Sequence, residues 1–189
     1  MSARLMEYLQ GRGVTFVVIP HPDDPAQPDR DNPTAASGRP SLVVADERRD
    51  PAPRPTRPRG FAPDEVVKTE VLVTSLGHAL MVVPETTDLD LDLARAALRD
   101  PDARPAATKE LERSFPEYEP GALPPLGLFF LAPMYVDPAV VQRSTVVFRA
   151  GKHTLSIAMA TDALFRDDPV VITPLTAASA AAASDTETG

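Results

Sequence analysis

The 189-residue sequence has no cysteine. A disulfide framework, a thiolate zinc site and a cysteine nucleophile are excluded together. Long apolar runs are missing as well. The greasiest stretch, Leu123 to Tyr135, is broken by Pro124, Pro125 and Pro133, whereas a membrane helix needs roughly 20 apolar residues in a row. The opening Met1-Ser2-Ala3-Arg4-Leu5-Met6-Glu7 carries an acid where a signal peptide has its apolar centre. These absences lead to the expectation of a cytoplasmic protein with no membrane partner. HExxH, Gly-x-Ser-x-Gly, P-loop and GxGxxG signatures are all lacking. His21, His78 and His153 stand at no metal-ligand spacing. The run Asp88-Leu89-Asp90-Leu91-Asp92 reads better as helix-start acids favoured by the dipole than as a metal loop. Neither metal nor cofactor is expected.

Positive charge is also short: 19 Lys and Arg stand against 27 Asp and Glu, a net charge of −8. Phosphate neutralisation supplies most non-specific affinity for nucleic acid, so any such role must rest on a local site or a helper protein. What the chain does have is proline, 22 residues against 9 glycines. Eleven of the prolines fall between Pro20 and Pro63. Such a segment buries too little apolar surface to offset its ordering entropy. It is expected to be a long mobile insertion at about residues 22–63, with Leu42-Val43-Val44-Ala45 as a candidate edge strand. Residues 21–63 balance seven acids with seven arginines, but Arg49, Arg54, Arg57 and Arg59 face only Asp50. That stretch reads either as a solubilising linker or as an arm for phosphates.

The rest of the chain alternates strand and helix patterns. Ser2 precedes a helix reaching about Gln10, and Val14 to Ile19 reads as a strand. Val66 to Val73 and Ala79 to Val83 form a hairpin around Ser75-Leu76-Gly77-His78. Leu91, Ala94, Ala97 and Leu98 have helical spacing, started by Asp88 or Asp90 and stopped at Asp100-Pro101. Thr108 caps a short helix through about Arg113, and residues 114–127 form a loop. Pro133 to Val136 reads as a strand. Thr145 to Phe148 and Leu155 to Met159 make a second hairpin around Ala150-Gly151-Lys152. A short helix follows from Thr161 to about Phe165, capped by Thr161 or Asp162. From Thr173 the chain is Ala/Ser/Thr-rich and is expected to be a disordered tail over residues 173–189. The pattern predicts one α/β domain over residues 1–172, with the insertion looped out.

Two features carry chemistry. In the strand from Val66, residues Val67, Thr69, Val71 and Val73 share one face and Val66, Lys68, Glu70 and Leu72 the other. Lys68 reads either as half of a solvated pair with Glu70 or as a point charge for an anionic group. Gly121-Ala122-Leu123-Pro124-Pro125-Leu126-Gly127 is either a surface turn or a loop stiffened by prolines and turned by glycines. A stiff loop presents backbone N–H groups at fixed positions, as an oxyanion requires. Among the histidines, His21 ends the first strand and is best placed to reach a site. His78 and His153 sit in turns, where exposure is the default.

Taken in order, these segments resemble the YbaK/prolyl-tRNA editing family. The resemblance is carried by Leu5 to His21, by Val66-Val67-Lys68-Thr69, and by Val82-Val83-Pro84 followed by Leu89-Asp90-Leu91. It continues in Phe115 to Gly127, which matches the family's Gly-x-x-x-Pro loop, in Tyr135-Val136-Asp137 and in Ala150-Gly151 through Ile157. It implies a single α/β domain with a YbaK-like mixed, barrel-like β-sheet and flanking short helices. The implied activity is hydrolysis of the ester joining a wrong amino acid to the tRNA 3′ end. Lys68, Gly121 and Pro125 take the catalytic positions. His21, Thr69, Ala122, Leu123, Pro124, Gly127, Asp137 and Gly151 take the substrate-binding ones. The implied partners are the 3′ end of a mischarged tRNA and an aminoacyl-tRNA synthetase, and a monomer is the default.

No side-chain nucleophile is needed, because an aminoacyl ester is already activated and a positioned water with backbone donors can suffice. Two departures leave the edited amino acid open. The short Ala-rich helix that family members carry before the lysine is replaced here by the proline-rich insertion. Thr69 also stands where some alanine-specific members have Asn. Two other readings stand beside catalysis: a non-catalytic module binding an aminoacyl or nucleotide ligand or a synthetase, and a hydrolase of another small activated ester.

Overall fold

A computed structural model of the chain describes residues 2–20 and 61–186. His21, the expected edge strand Leu42-Val43-Val44-Ala45 and the stretch Arg49 to Arg59 lie outside the described residues.

The valine-rich run becomes strand β2 (Val67–Thr74), with β1 (Phe16–Pro20) ahead of it in the chain. After a turn closed by Gly77 at φ +121°, a conformation that L side chains rarely adopt, β3 (Gly77–Pro84) returns antiparallel, pairing Lys68 with Val83. β4 (Arg104–Pro105) joins the other edge of β2. β5 (Met134–Val136) runs parallel to β3, and β8 (Val170–Ile172) parallel to β5. This gives a five-stranded mixed sheet in the order β4-β2-β3-β5-β8. A second sheet, of three antiparallel strands in the order β1-β7-β6, is completed by β6 (Thr145–Lys152) and β7 (Leu155–Ala160).

Side-chain alternation decides what each face buries. Val67, Val71, Leu80 and Val82 pack with Phe148 and Ile157 of the second sheet and with Leu5 and Leu9 of helix α1 (Ala3–Gly11) in the main core. Leu72, Met81 and Val83 project the other way, onto Ala94 of helix α2 (Leu91–Leu98) and onto Leu175. The β2–β3 hairpin is thus covered on both sides, which is why it reads as an almost continuous apolar run. Asp90 caps α2, its carboxylate accepting from the Asp92 and Leu93 N–H groups at 3.0 and 3.1 Å.

Four short helices fill the connections: α3 (Thr108–Ser114), α4 (Gly127–Phe130), α5 (Pro138–Val141) and α6 (Thr161–Phe165). Residues Ala107 and Ala160 occupy the N-cap positions of α3 and α6, so Thr108, Thr161 and Asp162 lie inside the helices they were expected to cap.

The expected barrel-like sheet does not form a closed barrel. Among the described residues the two sheets join at a single parallel bridge, Val66 to Val147, supported by the Val147 N–H on the Glu65 carbonyl at 2.8 Å.

The expected disordered tail is also corrected. Leu175 is fully buried, and the chain continues into α7 (Ala177–Thr186). The cause is Asp137: its carboxylate accepts from the Leu175 N–H at 2.9 Å and the Thr176 hydroxyl at 3.2 Å. Once the chain is pinned there, an alanine-rich segment has the strongest helix propensity available.

Candidate active site

The Gly/Pro loop connects α3 to α4, and it is held at both ends. Gly121 sits at φ +81°, and the Ala122 N–H closes a tight turn on the Glu119 carbonyl at 2.9 Å. The β6 bulge places Gly151 at φ +88°. There the Gly151 N–H donates to the Ala122 carbonyl, and the Gly151 carbonyl accepts from the Glu119 N–H, both at 2.9 Å. A Cβ on Gly151 would lie 2.9 Å from Cδ1 of Tyr118, so the loop can approach this closely only over glycine.

At the far end, a Cβ on Gly127 would come within 3.0 Å of the Ala132 carbonyl oxygen. The buried Asp168 carboxylate faces the first N–H groups of α4, those of Gly127 and Leu128, with Arg12 at 3.8 Å. Burial holds the Asp168 carboxyl above the usual range, although Arg12 and those N–H groups pull it down.

Against this loop lies a cleft of about 60 Å³, between β2, α3 and the loop. Gly121 and Leu123 line it from the loop, Thr69 and Glu70 from β2, and Leu111 and Phe115 form an apolar wall. Thr69 is only 7% exposed, and its buried hydroxyl oxygen has no hydrogen-bond partner. Leaving such a group unpaired costs about 1–3 kcal/mol. The N–H groups of Gly121 and Leu123 also donate to nothing among the described residues. Thr69, Gly121 and Leu123 line one small cleft, and an unpaired hydroxyl and free backbone N–H groups are the kinds of donor that stabilise a carbonyl oxygen gaining negative charge.

The loop residues expected to form the site are together in the fold. Ala122, Pro124 and Pro125 are buried, and Ala122 spends its carbonyl on Gly151. Gly127 and Gly151 do not line the cleft, and at both a Cβ would crowd neighbouring atoms. Asp137 does not line the cleft; it is fully buried and accepts from Ala139, Leu175 and Thr176.

Lys68 does not line the cleft. It leaves β2 on the face opposite Thr69, with Nζ 3.4 Å from Glu70 Oε1 and 3.6 Å from Asp88 Oδ1. Glu70 joins the two, since it lines the cleft and pairs with Lys68.

One residue escaped the sequence reading. His153, expected simply to be exposed, holds the loop through both backbone and ring. Its signal is tertiary only, because Pro120 lies 33 residues away. Among the described residues no group of three metal-binding side chains comes together.

The family model described as the aminoacyl-tRNA editing domain matches residues 56–166, and the chain belongs to that family. Its function is therefore of the aminoacyl-tRNA editing class. Among solved structures, a protein assigned as a trans-editing enzyme for prolyl tRNA synthetase superposes with TM-score 0.65 at 19% identity, covering 93% of this chain and 98% of that one. The hypothetical protein APE2540 gives TM-score 0.66 at 18% identity, covering 92% and 99%. A scaffold from computational epitope grafting gives 0.64 at 17%, covering 93% and 98%. At these identities the likeness concerns the fold. No curated protein matches the sequence.

Proposed function

We propose that the protein hydrolyses the ester of a mischarged aminoacyl-tRNA, with the cleft between Thr69 and Gly121 as its active site. The observation that carries this reading is the buried, unpartnered Thr69 hydroxyl, which shares the cleft with the undonated N–H groups of Gly121 and Leu123. Water attacks the ester carbonyl, whose oxygen takes up charge against these two N–H groups. One such donor is typically worth about 10²–10³ in rate. The Thr69 hydroxyl orients the attacking water or the amino group. The leaving ribose oxygen regains a proton from the water, directly or through the neighbouring ribose hydroxyl, and the products are free amino acid and tRNA. Pro124 and Pro125, which lack N–H groups, keep the loop from relaxing as charge develops.

Lys68 is the proposed electrostatic anchor for the terminal nucleotide, reached past Glu70, rather than a base. The apolar wall of Leu111 and Phe115 fits the exclusion of larger side chains by a second sieve. The proposed setting is the cytoplasm, with a synthetase as companion and the protein as a monomer. A second reading draws on one observation: Lys68 is already engaged by Glu70 and Asp88, as it would be in a module that binds aminoacyl-tRNA without turning it over.

The test is a panel of mischarged tRNAs incubated with wild type, Lys68→Ala and Thr69→Val. Deacylation of at least one by wild type, with a loss of about 10-fold or more in each variant, is expected. Tight binding without turnover gives the second reading. Full activity in Thr69→Val removes the cleft as the active site.

A further inference from the structure

The β6–β7 hairpin reaches across to the Gly/Pro loop and touches it with the residues at its tip. His153 donates its backbone N–H to Glu119 Oε2 at 2.7 Å. Its ring Nε2 lies 3.0 Å from the Pro120 carbonyl oxygen. A carbonyl can only accept, so the ring carries its proton on Nε2. Ring atom Cε1 sits 3.6 Å from where a Gly121 Cβ would be, so the imidazole packs on the bare face of that glycine.

The hairpin tip is itself braced. Arg149 donates one guanidinium N–H to the His153 carbonyl at 2.9 Å and a second to Glu85 Oε1 at 3.1 Å. That pair is partly buried, at 6% and 19% side-chain exposure, and the planar guanidinium fork is preorganised for it. With the two Gly151 backbone bonds, the hairpin fixes residues 119, 120 and 122, the neighbours on both sides of the Gly121 N–H.

We propose that His153 is a positioning residue: it sets the orientation of the Gly121 and Leu123 N–H groups, and with them the reactivity of the cleft, without touching substrate. This rests on the editing reading of that cleft. A donor pair acts only if it is aimed before charge develops, and misplacement by about 1 Å costs on the order of 10² in rate. An exposed histidine that merely decorates a turn has no such effect.

The experiment compares full-length wild type with His153→Ala and His153→Gln, the amide of Gln being able to donate to the Pro120 carbonyl. Deacylation of the mischarged tRNA most active with wild type is resolved into kcat and KM, and amide hydrogen exchange is followed across residues 119–123. For His153→Ala the expected result is a fall in kcat of about 10-fold or more, KM within about 3-fold, and faster exchange at Gly121 and Leu123. His153→Gln is expected to recover most of the kcat and the protection. Unchanged kcat and unchanged exchange in His153→Ala overturn the proposal. So does a loss that Gln fails to rescue, because that is what a purely structural side chain gives. If wild type deacylates no tRNA, the editing reading fails on its own account, and the exchange data alone decide whether His153 sets the loop.

Discussion

Gly151 and Gly77 both hold left-handed backbone, at φ +88° and +121°, yet only Gly151 is crowded. Gly77→Ala is expected to lose about 1 kcal/mol from backbone strain. Gly151→Ala should lose about 2–3 kcal/mol, because its Cβ also meets the Tyr118 ring. Urea unfolding of the two variants measures the difference, and equal losses would remove the argument that the bulge is shaped for the loop. Thr69→Val points the other way. Removing an unpaired buried hydroxyl should raise stability by about 1 kcal/mol while deacylation falls, the signature of a group retained for function. Neither effect could be read from the sequence. Thr69 was legible as a buried-face residue by alternation, but whether its hydroxyl finds a partner depends on β3, α3 and the loop. Lys68 was legible as a strand lysine facing away from Thr69 and beside Glu70, and only the fold added Asp88 as a second partner.

The elements show where local signals suffice. α1, α2 and both long hairpins follow from periodicity and turn residues, since each is long enough to repeat its pattern. α4, α5, β4 and β8 run two to four residues, below any period, and they form because neighbours hold them. α3 is pinned to β4 by the bidentate pair of Arg104 with Glu110, at 2.7 and 2.8 Å. The Arg104 bonds, with the Ala107 N–H, pull the Glu110 carboxyl from its ordinary 4.5 down to about 2. A lowered acid contributes stability above its unfolded pKa and loses it as pH falls through the folded one. The advantage of wild type over Glu110→Gln in thermal midpoint should therefore be full above pH 4.5 and shrink toward pH 2. A gap of constant size across that range would mean that the pair does not anchor α3.

At the scale of the whole molecule, the C-terminal segment belongs to the folded body. Leu175→Ala is expected to lower unfolding free energy by about 2–5 kcal/mol, as for other buried leucines. A chain ending at residue 172 should be less stable still, because Asp137 would stay buried without its Leu175 and Thr176 partners. Equal thermal midpoints for the full and shortened chains would restore the disordered-tail reading.

The sequence by itself determined the α/β class, the main strands and helices, and the position of the Gly/Pro loop, because these rest on local periodicity and on glycine and proline chemistry. Only the tertiary structure decided that the sheets stay separate, that the chain is pinned at Leu175 and Thr176 before its last helix, that Asp88 joins Glu70 beside Lys68, and that His153 grips the Gly121 loop. Those outcomes depend on hydrogen bonds between residues tens of positions apart, and no local pattern encodes which distant carbonyl a side chain will meet.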